Sequence, residues 1–309
     1  MNDILKRLGH KPLVIPEEYY GDYLEGKTVL VTGGGGSIGS GICKKISDMG
    51  VKALIIFDEY ENGAYDIWQD ILADAPHLEI KVVIGSICDR QRLREVFCKY
   101  RPEIIFHTAA HKHVVLMEEN EGEAYKNNVE GTRNVLEEAK ACGVERMIFV
   151  STDKAANPAG VMGRTKKACE DMIREFDAGS LRVPAVRFGN VAGSNGSVIP
   201  LFKRQIERGG PLTVTRPDAG RYFMSMDEAV SFIITVGNIG NTGDIYVPDM
   251  GAMIMIEDIA KVMIEDSGKD IEITYTGIKA GEKVREELCG EGEELEATEI
   301  PGVFIIKSI

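Results

Sequence analysis

The stretch KTVLVTGGGGSIGS, residues 27–40, decides the fold. Lys27–Thr32 is a short apolar, β-branched run of the kind that forms a buried strand. Four glycines follow, and Ser37-Ile38-Gly39 opens a helical pattern. Residues 32–39 satisfy T-G-x-x-G-x-x-G and G-x-G-x-x-G at once. Such glycines permit a tight turn and let backbone N–H groups approach a pyrophosphate at a helix N-terminus. A glycine motif alone is a weak signal. Here a strand precedes it, a helix follows it, and the next strand, Ala53–Phe57, ends in Asp58. An acidic residue at that place accepts hydrogen bonds from a ribose 2′-hydroxyl and repels a 2′-phosphate, so NAD is favoured over NADP.

Working outward, strands are expected at Ile80–Ile84, Ile104–His107, Arg146–Val150 and Ala185–Phe188. They alternate with helices over Glu61–Leu72, Arg90–Tyr100, Glu121–Cys142 and from Val161. Alternation of this kind implies an α/β Rossmann-type, doubly wound parallel sheet covered on both faces. Residues 1–26 read as a polar, partly helical lead-in and 27–188 as the dinucleotide-binding domain. Residues 189–309 read as a smaller C-terminal α/β lobe for substrate, packed over the sheet edge. Within that lobe the acidic run Glu291–Glu299 reads as a solvated loop.

The chain has 309 residues, 44% hydrophobic and 28% charged, with a net charge of −13. The acidic balance argues against a nucleic-acid surface, so an anionic small molecule would need a local basic pocket. The six cysteines, at 43, 88, 98, 142, 169 and 289, form no C-x-x-C and no metal-like grouping with histidine. A reduced, cytoplasmic protein without a bound metal is expected. No run reaches the ~20 apolar residues that a spanning helix needs.

The polar cluster Ser151-Thr152-Asp153-Lys154 follows the strand Arg146–Val150, at the carboxyl edge where open α/β sheets bind ligands. Pro158 and Gly160 break the chain before the helix from Val161. Met162 and Lys166 lie four residues apart and share a face. A hydroxyl, a carboxylate and two lysines thus converge. The same residues also suit capping and solvation, and an isolated Met on a helix suits a core.

With these stretches together, the sequence resembles an extended short-chain dehydrogenase/reductase of the polysaccharide-biosynthesis branch, the UDP-N-acetylglucosamine 4,6-dehydratases. The matching segments are VLVTGGGGSIGS, HTAAHKHVVLMEEN, NNVEGTRNV, STDKAANPAGVMGRTKKACE, RFGNVAGSNGSVIPLFKRQI, GRYFMSMDEAV and GIKAGEKVREEL. They run from about Lys27 to the C-terminus. Relatives often carry an N-terminal membrane region, and LKRLGHKPLV is similar to the piece just before the catalytic part, so a soluble form is expected.

The resemblance implies removal of water across C5 and C6 of a UDP-hexose, leaving a ketone at C4. Hydride passes from C4 to NAD and returns to C6. It implies that Thr152 hydrogen-bonds the C4 oxygen, that Asp153 is the acid for the leaving C6 hydroxyl, and that Lys154 is the base at C5. Lys166 is implied to hold the nicotinamide ribose. Met162 stands where most of the superfamily has tyrosine, a pattern of the subgroup that retains configuration at C5. Asp153, a water or His111 could then deprotonate the C4 hydroxyl. Gly33, Gly36, Ser37, Ile38, Gly39, Asp58, Ala109, Ala110 and Lys166 are the cofactor set. Ser86 replaces an expected Asp, so the adenine contact falls to Ile87 and Asp89. For the UDP-sugar, His113, Arg187, Asn190, Ser197, Val198, Lys203, Arg221 and Glu282 are implied, while Asn128 is read as ordering backbone. A homo-oligomer is expected, with the 121–142 and 161–176 helices as its interface. The competing readings are a UDP-sugar 4-epimerase on the same fold and a non-catalytic NAD-binding protein.

Overall fold

In a computed structural model, residues 2–309 are described. The first six strands of the main sheet are β1 Thr28–Thr32, β2 Ala53–Asp58, β3 Glu79–Ile84, β4 Ile104–His107, β5 Arg146–Val150 and β6 Ala185–Val186. They lie in the order β3-β2-β1-β4-β5-β6, all parallel. Successive side chains of a strand face opposite ways, and the burial shows where each set goes. Val29, Val31, Leu54, Ile56, Ile104, Phe106, Ile148 and Val150 enter one core. Leu30, Ala53, Ile55, Phe57, Ile105, Met147 and Phe149 enter the other. A sheet that is apolar on both faces must be covered by helices on both, which is the doubly wound arrangement expected.

The main sheet continues with strands from beyond residue 188. Ile245–Pro248 adds to the sheet parallel to β6, Val303–Ser308 pairs antiparallel with it, and Glu293–Ala297 pairs antiparallel with Val303–Ser308 to form the edge. The helix Met226–Ile239 also packs in the main core, through Ala229, Val230, Phe232, Ile233 and Val236, while Ile199, Phe202, Leu212, Phe223, Ile254 and Ile259 form a smaller core. The acidic run is therefore corrected from a loop to an edge strand. Its charges point outward except Glu293, which is drawn in by Arg187. Charge on an edge strand also discourages pairing with another sheet.

The lead-in is more than polar. Leu5 is buried in the C-terminal core, and Ile15, Tyr20 and Leu24 are buried in the main one. His10 Nε2 and the Leu13 N–H both reach Glu228 Oε1, at 3.0 and 2.7 Å. The segment is a strap across both cores. The expected long helix over Glu121–Cys142 is present to Ala141, but Tyr125–Glu130 runs as a π-helix between α-helical ends.

Candidate active site

A cleft of about 450 Å³ opens at the carboxyl ends of β1, β2 and β4. Gly33, Gly35, Gly36, Asp58, Ser86, Ile87, Ala109 and Ala110 are among its lining. The phosphate loop is as tight as its glycines allow. Gly33 sits at φ 68°, and a Cβ there would lie 2.7 Å from the Ala109 nitrogen. A Cβ on Gly39 would lie 2.1 Å from the Gly33 oxygen, so the helix Ser37–Ile46 starts directly under the turn. Asp58 shapes the loop as well as lining the cleft. Its carboxylate accepts the Gly35 N–H at 2.8 Å and the Tyr60 N–H at 2.9 Å. A glycine cradle ending on a helix N-terminus, with a carboxylate beyond it, fits a dinucleotide. Asp89 does not line the cleft. It caps the helix Arg90–Tyr100 by accepting the Arg92 N–H, whereas Ser86 and Ile87 line the cleft.

The π-turn explains the wall between cleft and sheet. Asn127 and Asn128 are both buried within it. Asn128 accepts the His111 N–H at 2.8 Å, donates to the His111 carbonyl at 3.0 Å and reaches the Thr165 hydroxyl at 3.0 Å. It orders backbone, as read from the sequence. Beneath it His107 is pinned between the hydroxyls of Thr32 and Thr132, at 2.7 and 2.9 Å. Burial, with Lys166 nearby, lowers the His107 imidazole to about 3.

The turn after β5 gathers the expected reactive groups. Asp153 is 1% exposed, and its Oδ1 accepts the Thr152 hydroxyl at 2.8 Å and the Lys154 ammonium at 2.9 Å. Its Oδ2 is buried with no partner. Lys154 Nζ also lies 3.4 Å from Asn190 Oδ1. Lys166 is buried, donates to the Val150 carbonyl at 2.7 Å and stands 4.5 Å over the Phe149 ring. Burial pushes its ammonium down. Met162 is buried with Met117, Ala124 and Val161, one turn before Lys166.

Of the UDP-sugar set, Asn190 reaches this turn directly and Arg221 reaches it through Glu286. Arg221 spends three donors on the Gly220, Val284 and Lys283 carbonyls and stands 4.0 Å from Glu286. Ser197, with a buried and unpartnered hydroxyl, precedes the helix Val198–Glu207 that carries Val198 and exposed Lys203. His113 packs on Gly196, where a Cβ would lie 2.4 Å from the imidazole. Glu282 accepts the Lys279 N–H in its own turn. Arg187 is corrected. It is fully buried and paired with Glu170 at 2.6 Å and Glu293 at 2.6 Å, which leaves nothing for a phosphate. The sequence reading missed Glu286, 4% exposed, with Oε1 3.7 Å from Lys154 Nζ and Oε2 buried without a partner. Its only signal was a place in the acidic motif GEKVREEL.

Residues 29–308 match the model of the polysaccharide biosynthesis protein family. The chain belongs to that family. The family's extended short-chain dehydrogenase/reductase architecture is the one described above. The chain is 43% identical over 307 residues to the probable polysaccharide biosynthesis protein EpsC of Bacillus subtilis, covering 98% of this chain and 51% of that protein. It is 44% identical to the capsular polysaccharide biosynthesis protein CapD of Staphylococcus aureus, covering 93% and 49%. The chain thus spans about half the length of these curated relatives. A UDP-glucose 4-epimerase of Rickettsia rickettsii is 34% identical, with 91% and 82% covered. Among solved structures, Pen from Bacillus thuringiensis superposes with a TM-score of 0.85 at 33% identity, over 93% and 88% of the chains. Among the described residues, no helix is long and apolar enough to cross a membrane.

Proposed function

We propose that the protein is an NAD-dependent nucleotide-sugar 4,6-dehydratase. Its substrate is UDP-N-acetylglucosamine, converted to the 4-keto-6-deoxy sugar with C5 configuration retained. The observation that carries this reading is the buried turn Thr152-Asp153-Lys154, whose acid keeps one oxygen without a partner. A carboxylate buried that way costs free energy unless something binds it, and a sugar hydroxyl suits it. When bound in the glycine cradle, NAD supplies the oxidation at C4 and the later reduction at C6.

The chain's own groups divide the rest. Thr152 offers a hydroxyl to the C4 oxygen, now satisfied by Asp153. Asp153 protonates the leaving C6 hydroxyl. Lys154 first passes a proton to Asp153 across their 2.9 Å hydrogen bond, which makes Asp153 the acid, and its neutral amine then takes the C5 proton that the C4 ketone has acidified. Lys166, fixed by the Val150 carbonyl, places its ammonium at the nicotinamide ribose. Met162 brings no proton, which leaves elimination to the Asp–Lys pair and supports the retaining subgroup. Asn190, Ser197, Val198, Lys203 and Arg221 are the proposed contacts to the nucleotide.

The second reading is a UDP-sugar 4-epimerase, favoured by the similarity to the rickettsial protein of that name. One assay separates them. Incubation with UDP-N-acetylglucosamine and NAD should give a product lighter by one water. An isomer of unchanged mass would establish the epimerase, and no product at all would favour a binding protein.

A further inference from the structure

Among the described residues, three buried side-chain polar atoms have no hydrogen-bond partner: Asp153 Oδ2, Ser197 Oγ and Glu286 Oε2. Two of them belong to the reading already given. Glu286 does not, yet it stands in the same place. Its Oε1 is 3.7 Å from the Lys154 ammonium and 4.0 Å from Arg221 Nε, too far for hydrogen bonds and close enough for charge attraction.

Its position is not accidental to a loose loop. Arg221 grips the backbone on its N-terminal side through the Lys283 and Val284 carbonyls, at 2.8 and 2.9 Å. A bridge between Gly220 and Arg285 closes the same segment. The chain is therefore tethered on the residues just before Glu286, and the side chain is driven inward to 4% exposure. A buried carboxylate with two near cations and no hydrogen bond is an unfinished site. The groups that face Lys154 are Asp153 from its own turn, Asn190 from the strand Asn190–Val191, and Glu286 with Arg221 behind it.

We propose that Glu286 is a further residue of the reaction centre, with Oε1 steadying the Lys154 side chain and Oε2 accepting a hydrogen bond from a hydroxyl of the sugar. This rests on the nucleotide-sugar reading above, and it adds a sugar-recognition residue to it.

The test compares two ligands, UDP-N-acetylglucosamine and UDP, by titration calorimetry on the whole NAD-loaded protein. Glu286→Gln keeps the shape and loses the charge. A hydrogen bond to a charged group is worth enough that UDP-sugar affinity should fall by about 10- to 100-fold, with UDP affinity and melting temperature unchanged. Glu286→Asp, which keeps the charge one methylene short, should recover part of the loss. It also serves if the Gln variant does not fold. Equal losses for both ligands would mean that Glu286 only supports the fold, and the proposal fails. No loss for either, or a wild-type protein that binds UDP-sugar no better than UDP, also overturns it. If the wild-type protein favours the UDP-sugar and releases no water, the dehydratase reading fails while the Glu286 result still stands on the affinities.

Discussion

Asp153 and Lys154 share one hydrogen bond at 2.9 Å and should share one phenotype. General acid–base catalysis is worth ~10²–10⁴-fold, so Asp153→Asn and Lys154→Ala should each lower dehydration by about that much. Affinities for NAD and the UDP-sugar should change little. Full activity in both variants, measured by product mass, would remove the turn from the chemistry. Met162 is legible in the sequence only as an exception to a pattern, and the structure gives it apolar neighbours. Met162→Tyr should change turnover or its pH profile, and overpacking should cost ~1–3 kcal/mol in stability. An unchanged profile would leave Met162 as packing alone. At Asp58, the cofactor preference and the loop share one carboxylate. Asp58→Asn should narrow the preference for NAD over NADP by ~1–3 kcal/mol, read from the two dissociation constants. His107 carries a pH prediction. Its folded value, about 3, lies below its ordinary 6.5, so the unfolded chain binds the proton first as pH falls. The stability His107 gives is complete above 6.5 and is lost between 6.5 and about 3. Urea midpoints across that window should fall with acid, and less steeply in His107→Gln.

Between elements, the legible part was the part with local grammar. β4, β5 and the helix Arg90–Tyr100 fall on the bounds read from the sequence, because apolar runs and an Asp cap mark them. The glycine loop was legible for the same reason: Gly33, Gly34, Gly35 and Gly39 each answer a contact that a Cβ would violate. Arg187 was not. A basic residue at a strand end resembles a phosphate contact, and its partners Glu170 and Glu293 lie 17 and 106 residues away. No local pattern reports such a pairing. That network joins β6, the helix Val161–Glu175 and the edge strand Glu293–Ala297, and Glu170 also takes the Ser151 hydroxyl at 2.6 Å. Glu170→Gln should therefore cost ~3–5 kcal/mol in denaturant unfolding, because it strands a buried guanidinium. A change within ~0.5 kcal/mol would mean Glu293 suffices. The π-turn was hidden too. An extra residue per turn breaks the 3.6-residue rhythm that reveals helices, and such turns gather at functional sites.

Across the whole molecule, the parallel sheet with both faces covered was readable, and its extension by strands from beyond residue 188 was not. Short strands such as Ile245–Pro248 carry no mark of which sheet they will join. The strap of residues 2–26 shows the same limit. Its apolar residues are scattered, so only the folded chain shows Leu5 closing the smaller core. Leu5→Ala should cost ~2–5 kcal/mol by thermal unfolding and leave the chemistry of the bound enzyme intact.

The loop 193–197 rests on two supports. The Asn195 N–H is bonded to the Ser37 hydroxyl at 2.9 Å, and Gly196 abuts His113. It ties the C-terminal part of the chain to the first turn of the helix Ser37–Ile46, directly beside the glycine cradle. Any displacement of this loop is therefore felt at both ends of the cleft: through Ser37 at the helix start and through His113 at the helix Val114–Glu118.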